Sequence, residues 1–206
     1  ALKFGNRSTF YYTGKLDQVR VFQKVLTSSE VSTLYAETVE TVESLDPLSE
    51  DTTDTLQVLG DSSCIATYRF ENDEVDLSGN YDGTGTAIQY AAGRYGQAAS
   101  FNGSSSYVSL SNASTMLGTP AGQTISCWAK FNSVASSGFN NTALLAANNS
   151  TNYGKWQITL LDGKIYGDYF QESGVYRQRV GSTTISANTW YHFVVTFDST
   201  DSDVVQ

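Results

Sequence analysis

Residues 124–131 read TISCWAKF, and residues 190–197 read WYHFVVTF. In the first, Ile125, Cys127, Ala129 and Phe131 alternate with Thr124, Ser126, Trp128 and Lys130. In the second, Tyr191, Phe193, Val195 and Phe197 fall on one side. That period of two is the signature of a strand with one buried face. Working outward, CIATYRF puts Cys64, Ala66, Tyr68 and Phe70 on one face. KWQITLL alternates Trp156, Ile158 and Leu160 with polar neighbours. Such segments recur along the chain, separated by Gly, Asn, Asp and Ser turns and without long helical patterns between them. The expected fold class is therefore all-β, a sandwich or jelly roll.

One helix is expected. Thr27-Ser-Ser-Glu30 has the form of a capping box, and Val31, Leu34 and Tyr35 follow at helical spacing. The helix spans about residues 28–35 and is too short to stand without docking on a sheet.

The chain has 206 residues, a net charge of −9 and a pI near 4.4. Such a balance argues against nucleic acid or an anionic membrane as the main partner, because both reward Lys and Arg. No apolar run is long enough for a membrane-inserted helix. Eight of the acidic residues lie between Glu37 and Asp61, where there is no Lys or Arg. Residues 38–58 thus read as an acidic linker. Cys64 and Cys127 both stand in apolar strand patterns. They fit two buried thiols, and a disulfide between them remains open.

From Leu59 the motifs come in a telling order. Asp76-Leu-Ser-Gly-Asn80 is a turn. GRYGQAASFNG runs from Gly93 to Gly103, TISCWAK from Thr124 to Lys130, and Trp190-Tyr-His192 opens the last strand. The succession resembles the laminin-G-like, concanavalin A-like lectin/glucanase family. The resemblance implies a jelly-roll sandwich of two antiparallel sheets. In that family a domain closes with a strand and short helix of the pattern found at Gly14, Leu16, Asp17, Val19, Arg20, Val21, Phe22, Leu26, Glu30 and Leu34. The resemblance implies a tandem array. Residues 1–37 would be the closing strands and helix of a preceding repeat, 38–58 the linker, and 59–206 a repeat lacking its last strands. The junction is similar to repeat boundaries in fibre and tail proteins of marine bacteriophages, which implies a virion-surface or extracellular setting. An orphan strand and an incomplete sheet are complementary. Closure by a neighbouring copy is the expected arrangement, with closure inside the chain as the alternative.

The chemistry-bearing residues point away from catalysis. A glucanase on this fold needs paired carboxylates on one strand. Glu71, Asp73 and Glu74 come closest but stand in a turn, and His192 is the only histidine. The expectation is a non-enzymatic protein. Calcium needs only oxygen ligands. Asp76, Asn80 and Asp82 supply them, and the resemblance places Asp17 nearby. The same residues are also ordinary turn formers. For glycans, aromatic rings and hydrogen-bonding side chains gather at Tyr153, Trp156, Tyr166, Tyr169, Tyr176 and Arg177, around a Ser173-Gly174 turn. The family's commonest task implies cell-surface polysaccharide as a partner, alongside neighbouring copies of the protein. A purely structural spacer or decoration module, or a bacterial adhesin, is the competing reading.

Overall fold

In the computed structural model of the chain, the described residues are 2–37, 56–112, 116, 122–134, 142–148, 154–170 and 176–198. Most of the 38–58 linker lies outside them. The elements are β1 (Leu2–Phe4), β2 (Asn6–Arg7), β3 (Phe10–Tyr11), β4 (Thr13–Phe22), α1 (Ser28–Tyr35), β5 (Cys64–Tyr68), β6 (Gly83–Thr86), β7 (Gln89–Ala92) and β8 (Gln97–Asn102). They continue with β9 (Tyr107–Leu110), β10 (Gly122–Phe131), β11 (Thr142–Asn148), β12 (Gly154–Leu161), β13 (Lys164–Phe170), β14 (Tyr176–Val180) and β15 (Trp190–Asp198).

Two antiparallel sheets face each other. One runs β14-β13-β12-β11-β1-β9-β6, the other β15-β10-β4-β8-β7, with β5 also paired to β4. The alternating residues build the core between them. Ile125, Cys127, Ala129, Phe131, Val195 and Phe197 come from one sheet; Leu2, Phe4, Val108, Ile158, Leu160 and Ile165 come from the other. Both cysteines are free and buried. Burial raises both thiols above their ordinary value, Cys127 to about 12.

The strand expected to close a sheet lies in the middle of one. On one edge β4 pairs with β10, from Thr124↔Phe22 to Phe131↔Gly14. On the other edge, residues 13–16 pair with β8 and residues 19–22 with β5. In this structure the sheet is closed by β4 of the same chain. The reason lies at the two ends of the linker. Helix α1 has its full capping box and buries Leu34 in a second apolar cluster with Phe22, Leu26 and Cys64. Leu56 and Val58 at the far end of the linker, and Leu59 just after it, pack on that same cluster. With both ends anchored at one place, the linker costs only loop-closure entropy, which grows slowly with length.

The hairpin turn between β7 and β8 is gripped by carboxylates. Asp17 Oδ2 accepts from the backbone N–H groups of Arg94 (2.8 Å) and Tyr95 (2.9 Å). Glu71 accepts from that of Gln97, at 3.2 and 3.0 Å. This is why the turn opens with a glycine. A Cβ on Gly93 would stand 2.5 Å from the Gln97 carbonyl oxygen and 2.6 Å from Asp17 Oδ2. Gly93→Ala is expected to destabilise the protein by about 1–3 kcal/mol, read as a lower denaturant midpoint at unchanged slope.

Candidate functional site

The turn 76–82 folds around Asp76, which is buried. Its Oδ1 accepts from Thr67 N (2.9 Å) and Ser78 N (3.2 Å). Its Oδ2 accepts from the Ser78 hydroxyl and from Tyr81 N (3.2 Å). Asp82 Oδ1 in turn accepts from Asp76 N at 3.0 Å, and Asn80 bonds back to Ser78. The structure therefore brings Asp76, Asn80 and Asp82 together in one turn. Asp17 holds the 93–96 turn. The donor set does not fit a calcium ion, because both oxygens of Asp76 already face N–H and O–H donors. Among the described residues no group of three or more His, Cys, Asp or Glu is placed to hold a metal.

The carboxylates nearest to a catalytic run also have structural partners. Glu74 accepts from the Tyr90 hydroxyl, Asp73 from Val75 N, and Glu71 from Gln97 N. His192 is packed beside Trp128, with ring centroids 5.2 Å apart, and its Nε2 lies 2.7 Å from the Ser126 hydroxyl. Burial first, and the Arg20 guanidinium second, lower its pKa to about 4, so the ring is neutral at pH 7.

The outward face of the seven-stranded sheet carries a row that is polar on every strand except β11. Register places Gln178 opposite Asp168, Asp168 opposite Gln157, and Gln157 opposite Ala146. The row continues through Lys3 and Ser109 to Thr84. These positions alternate with Ile158 and Ile165, which face the core. Asp168 is held between two amides. Gln157 Nε2 donates to its Oδ2 at 2.7 Å, and Gln178 Nε2 to its Oδ1 at 2.8 Å. Gln157 Oε1 has no hydrogen-bond partner, although the residue is only 4 % exposed. Gln178 is exposed, and Tyr166 on the same face is half-buried. Farther along, Lys3 Nζ lies 4.0 Å from the centroid of the Tyr107 ring.

The glycan candidates divide between two rows. Trp156, Tyr169 and Arg177 are register partners in a row that alternates with Gln157–Asp168–Gln178. Tyr166 belongs to the outward set, by alternation with Asp168, and Tyr176 is the register partner of Phe170. Tyr153 lies outside the described residues. Sequence reading passed over Asp168, Gln157 and Gln178, because their pattern is polar and ordinary. The signal was cross-strand, and only the register exposes it.

Asp17 has a titration of its own. Desolvation, opposed by the Tyr95 and Arg94 N–H groups, raises its pKa from 3.8 to about 7. The folded value exceeds the unfolded one, so ionisation is penalised in the fold. This contribution to stability is lost as pH rises from about 4 through 7. Asp17→Asn is expected to flatten the fall in stability between pH 5 and 8, by an amount of the order of 1–4 kcal/mol. Denaturant melts of both proteins at the two pH values check it. Thermal melts in calcium and in chelator are expected to coincide. A calcium-dependent rise would show a cation bound to the folded state.

A family model described as the Concanavalin A-like lectin/glucanases superfamily matches residues 102–205, which hold β9 to β15. Searches of curated proteins and of solved structures found no match. The match covers just over half of the chain, and with the two-sheet jelly roll it carries the identification: the chain belongs to the concanavalin A-like lectin/glucanase superfamily.

Proposed function

We propose that the chain is a non-enzymatic, lectin-like module that binds cell-surface polysaccharide on the outward face of its seven-stranded sheet. The observation that carries this reading is the Gln157–Asp168–Gln178 clamp. A polar side chain buried in a sheet face costs free energy unless it is paired. Here a carboxylate is held in place by two amides, and one amide oxygen is left over. Preset acceptors and donors flanked by tyrosine suit a sugar, whose hydroxyls bond and whose C–H faces stack on rings. The bonds made by Glu71, Asp73 and Glu74 support a non-enzymatic role. The family membership supports carbohydrate as the ligand class. The acidic linker and the resemblance to tandem repeats support a place in an extracellular or virion fibre.

A glycan array on the purified protein tests the reading. Retention of a defined set of polysaccharides is expected, with about tenfold weaker binding by Gln178→Ala. The substitution also takes a donor from the buried Asp168 carboxylate, so a loss of about 1–3 kcal/mol in stability accompanies it, and binding is compared well below both melting transitions. An array without hits would favour a structural spacer. Hydrolysis of a β-glucan by the pure protein would overturn the non-enzymatic reading.

A further inference from the structure

The outward face of the six-stranded sheet holds a different chemistry. Register aligns Gln89, Ser100, Lys15, Lys130 and Trp190 across β7, β8, β4, β10 and β15. Lys15 and Lys130 are direct cross-strand partners. Like charges placed so are destabilising. A protein with 21 acidic residues and 12 Lys and Arg has ample means to neutralise such a pair. It does not do so among the described residues. The three ion pairs there are Arg20–Glu37, Lys24–Glu30 and Lys24–Asp61. Lys15 Nζ instead donates to the Ala92 carbonyl at 2.8 Å, and Lys130 Nζ stands 5.7 Å from the Trp190 ring centroid. Desolvation first, and Lys130 second, lower the pKa of Lys15.

Around the pair stand the other parts of a sugar site. Trp190 is half-buried and presents ring surface beside Lys130. Asn132, exposed and just past the end of β10, donates to the Thr13 hydroxyl at 3.4 Å, two residues from each lysine. Two residues the other way on β10, the Arg94 guanidinium lies 4.7 Å from the Trp128 ring centroid. Tyr35, 62 % exposed, stacks on the same indole at 5.7 Å. Cations and aromatic faces thus form one strip on an otherwise acidic molecule.

We propose that Lys15, Lys130 and Trp190 form a second binding site, for an anionic group carried on a polysaccharide: a uronate carboxylate or a sulfate ester. The charge is complementary, an anion between the two ammonium groups relieves their repulsion, and the indole gives the sugar ring a stacking face. A simple polyanion would need only the lysines. The aromatic ring in the same row is what favours a sugar. This site is separate from the Asp168 face and does not depend on it.

The test uses the whole chain with four probes: polygalacturonate, sulfated dextran, neutral dextran and poly-glutamate. Binding is followed by affinity electrophoresis at low and at 0.3 M salt. One or both acidic glycans should bind, identifying carboxylate or sulfate, and should weaken with salt. Neutral dextran and poly-glutamate should not compete. Lys15→Gln/Lys130→Gln should lose at least tenfold in affinity, with an unchanged or raised melting temperature because the repulsion is gone. Trp190→Phe keeps an aromatic filler and should weaken acidic glycans several-fold without touching salt dependence. Gln178→Ala should bind them normally, so failure at the Asp168 face reads out separately. Poly-glutamate binding as well as polygalacturonate, or full binding by the lysine double variant, would overturn the proposal, as would no binding of either acidic glycan.

Discussion

Everything in the six-stranded sheet depends on one strand having two partners on the same edge. β4 pairs with β8 through residues 13–16 and with β5 through residues 19–22. Between the two lies a bulge, where the register against β10 shifts between Ser126 and Trp128. Gln18 takes a left-handed backbone conformation there, φ 47°. A bulge kinks a strand and re-aims its side chains. Here it turns Asp17 toward the 93–96 turn and so ties β7 and β8 to the strand beside them. The cost is local. Asp17 Oδ1, both ends of the Gln18 amide, and Arg20 Nε and Nη2 are buried without a protein partner. A buried group left unsatisfied costs about 1–3 kcal/mol, and among the described residues such atoms gather in this segment, with Gln157 Oε1 apart from it. The cost is tolerated because the strand pairs along both of its edges and packs Leu16, Val19 and Val21 into the core.

The fold was legible in the sequence because two-residue periodicity survives in a sheet with one dry face. TISCWAKF and WYHFVVTF lie opposite each other from Lys130↔Trp190 to Thr124↔Thr196, and their apolar sets point to the core as the alternation requires. The capping box at Thr27–Glu30 was legible for a similar reason, since it is complete within four residues. Strand order is another matter. Nothing in residues 14–22 shows whether the sheet they enter belongs to their own chain. In the structure they enter their own chain's sheet, and the apolar cluster at Leu34, Cys64 and Leu56 fastens the two ends of the linker together.

The sites were less legible, and the reason is again physical. Turn chemistry uses the same oxygens as calcium chemistry. Asp76 and Asp82 read identically whether they wait for a cation or accept their own backbone N–H groups. Cross-strand constellations are worse still. Lys15 and Lys130 are far apart in sequence and become neighbours through a register that a single β4 bulge displaces. Gln157, Asp168 and Gln178 likewise meet only through register, across two successive hairpins.

What covers each sheet then decides what each can offer a ligand. On the six-stranded sheet, α1 and the 93–96 turn cover the end that carries Arg20, Trp128 and His192. Trp128 is packed by Tyr35, Tyr95 and Arg94, and Arg20 is paired with Glu37 where the chain leaves the helix. The cover stops short of Lys15, Lys130 and Trp190, which stay half-exposed. The helix is too short to reach them, and its capping box fixes where it starts. The closing strand therefore does two things at once. It completes the sheet from within the chain, and it carries with it a helix that seals one end of the outer face and leaves the cationic end open.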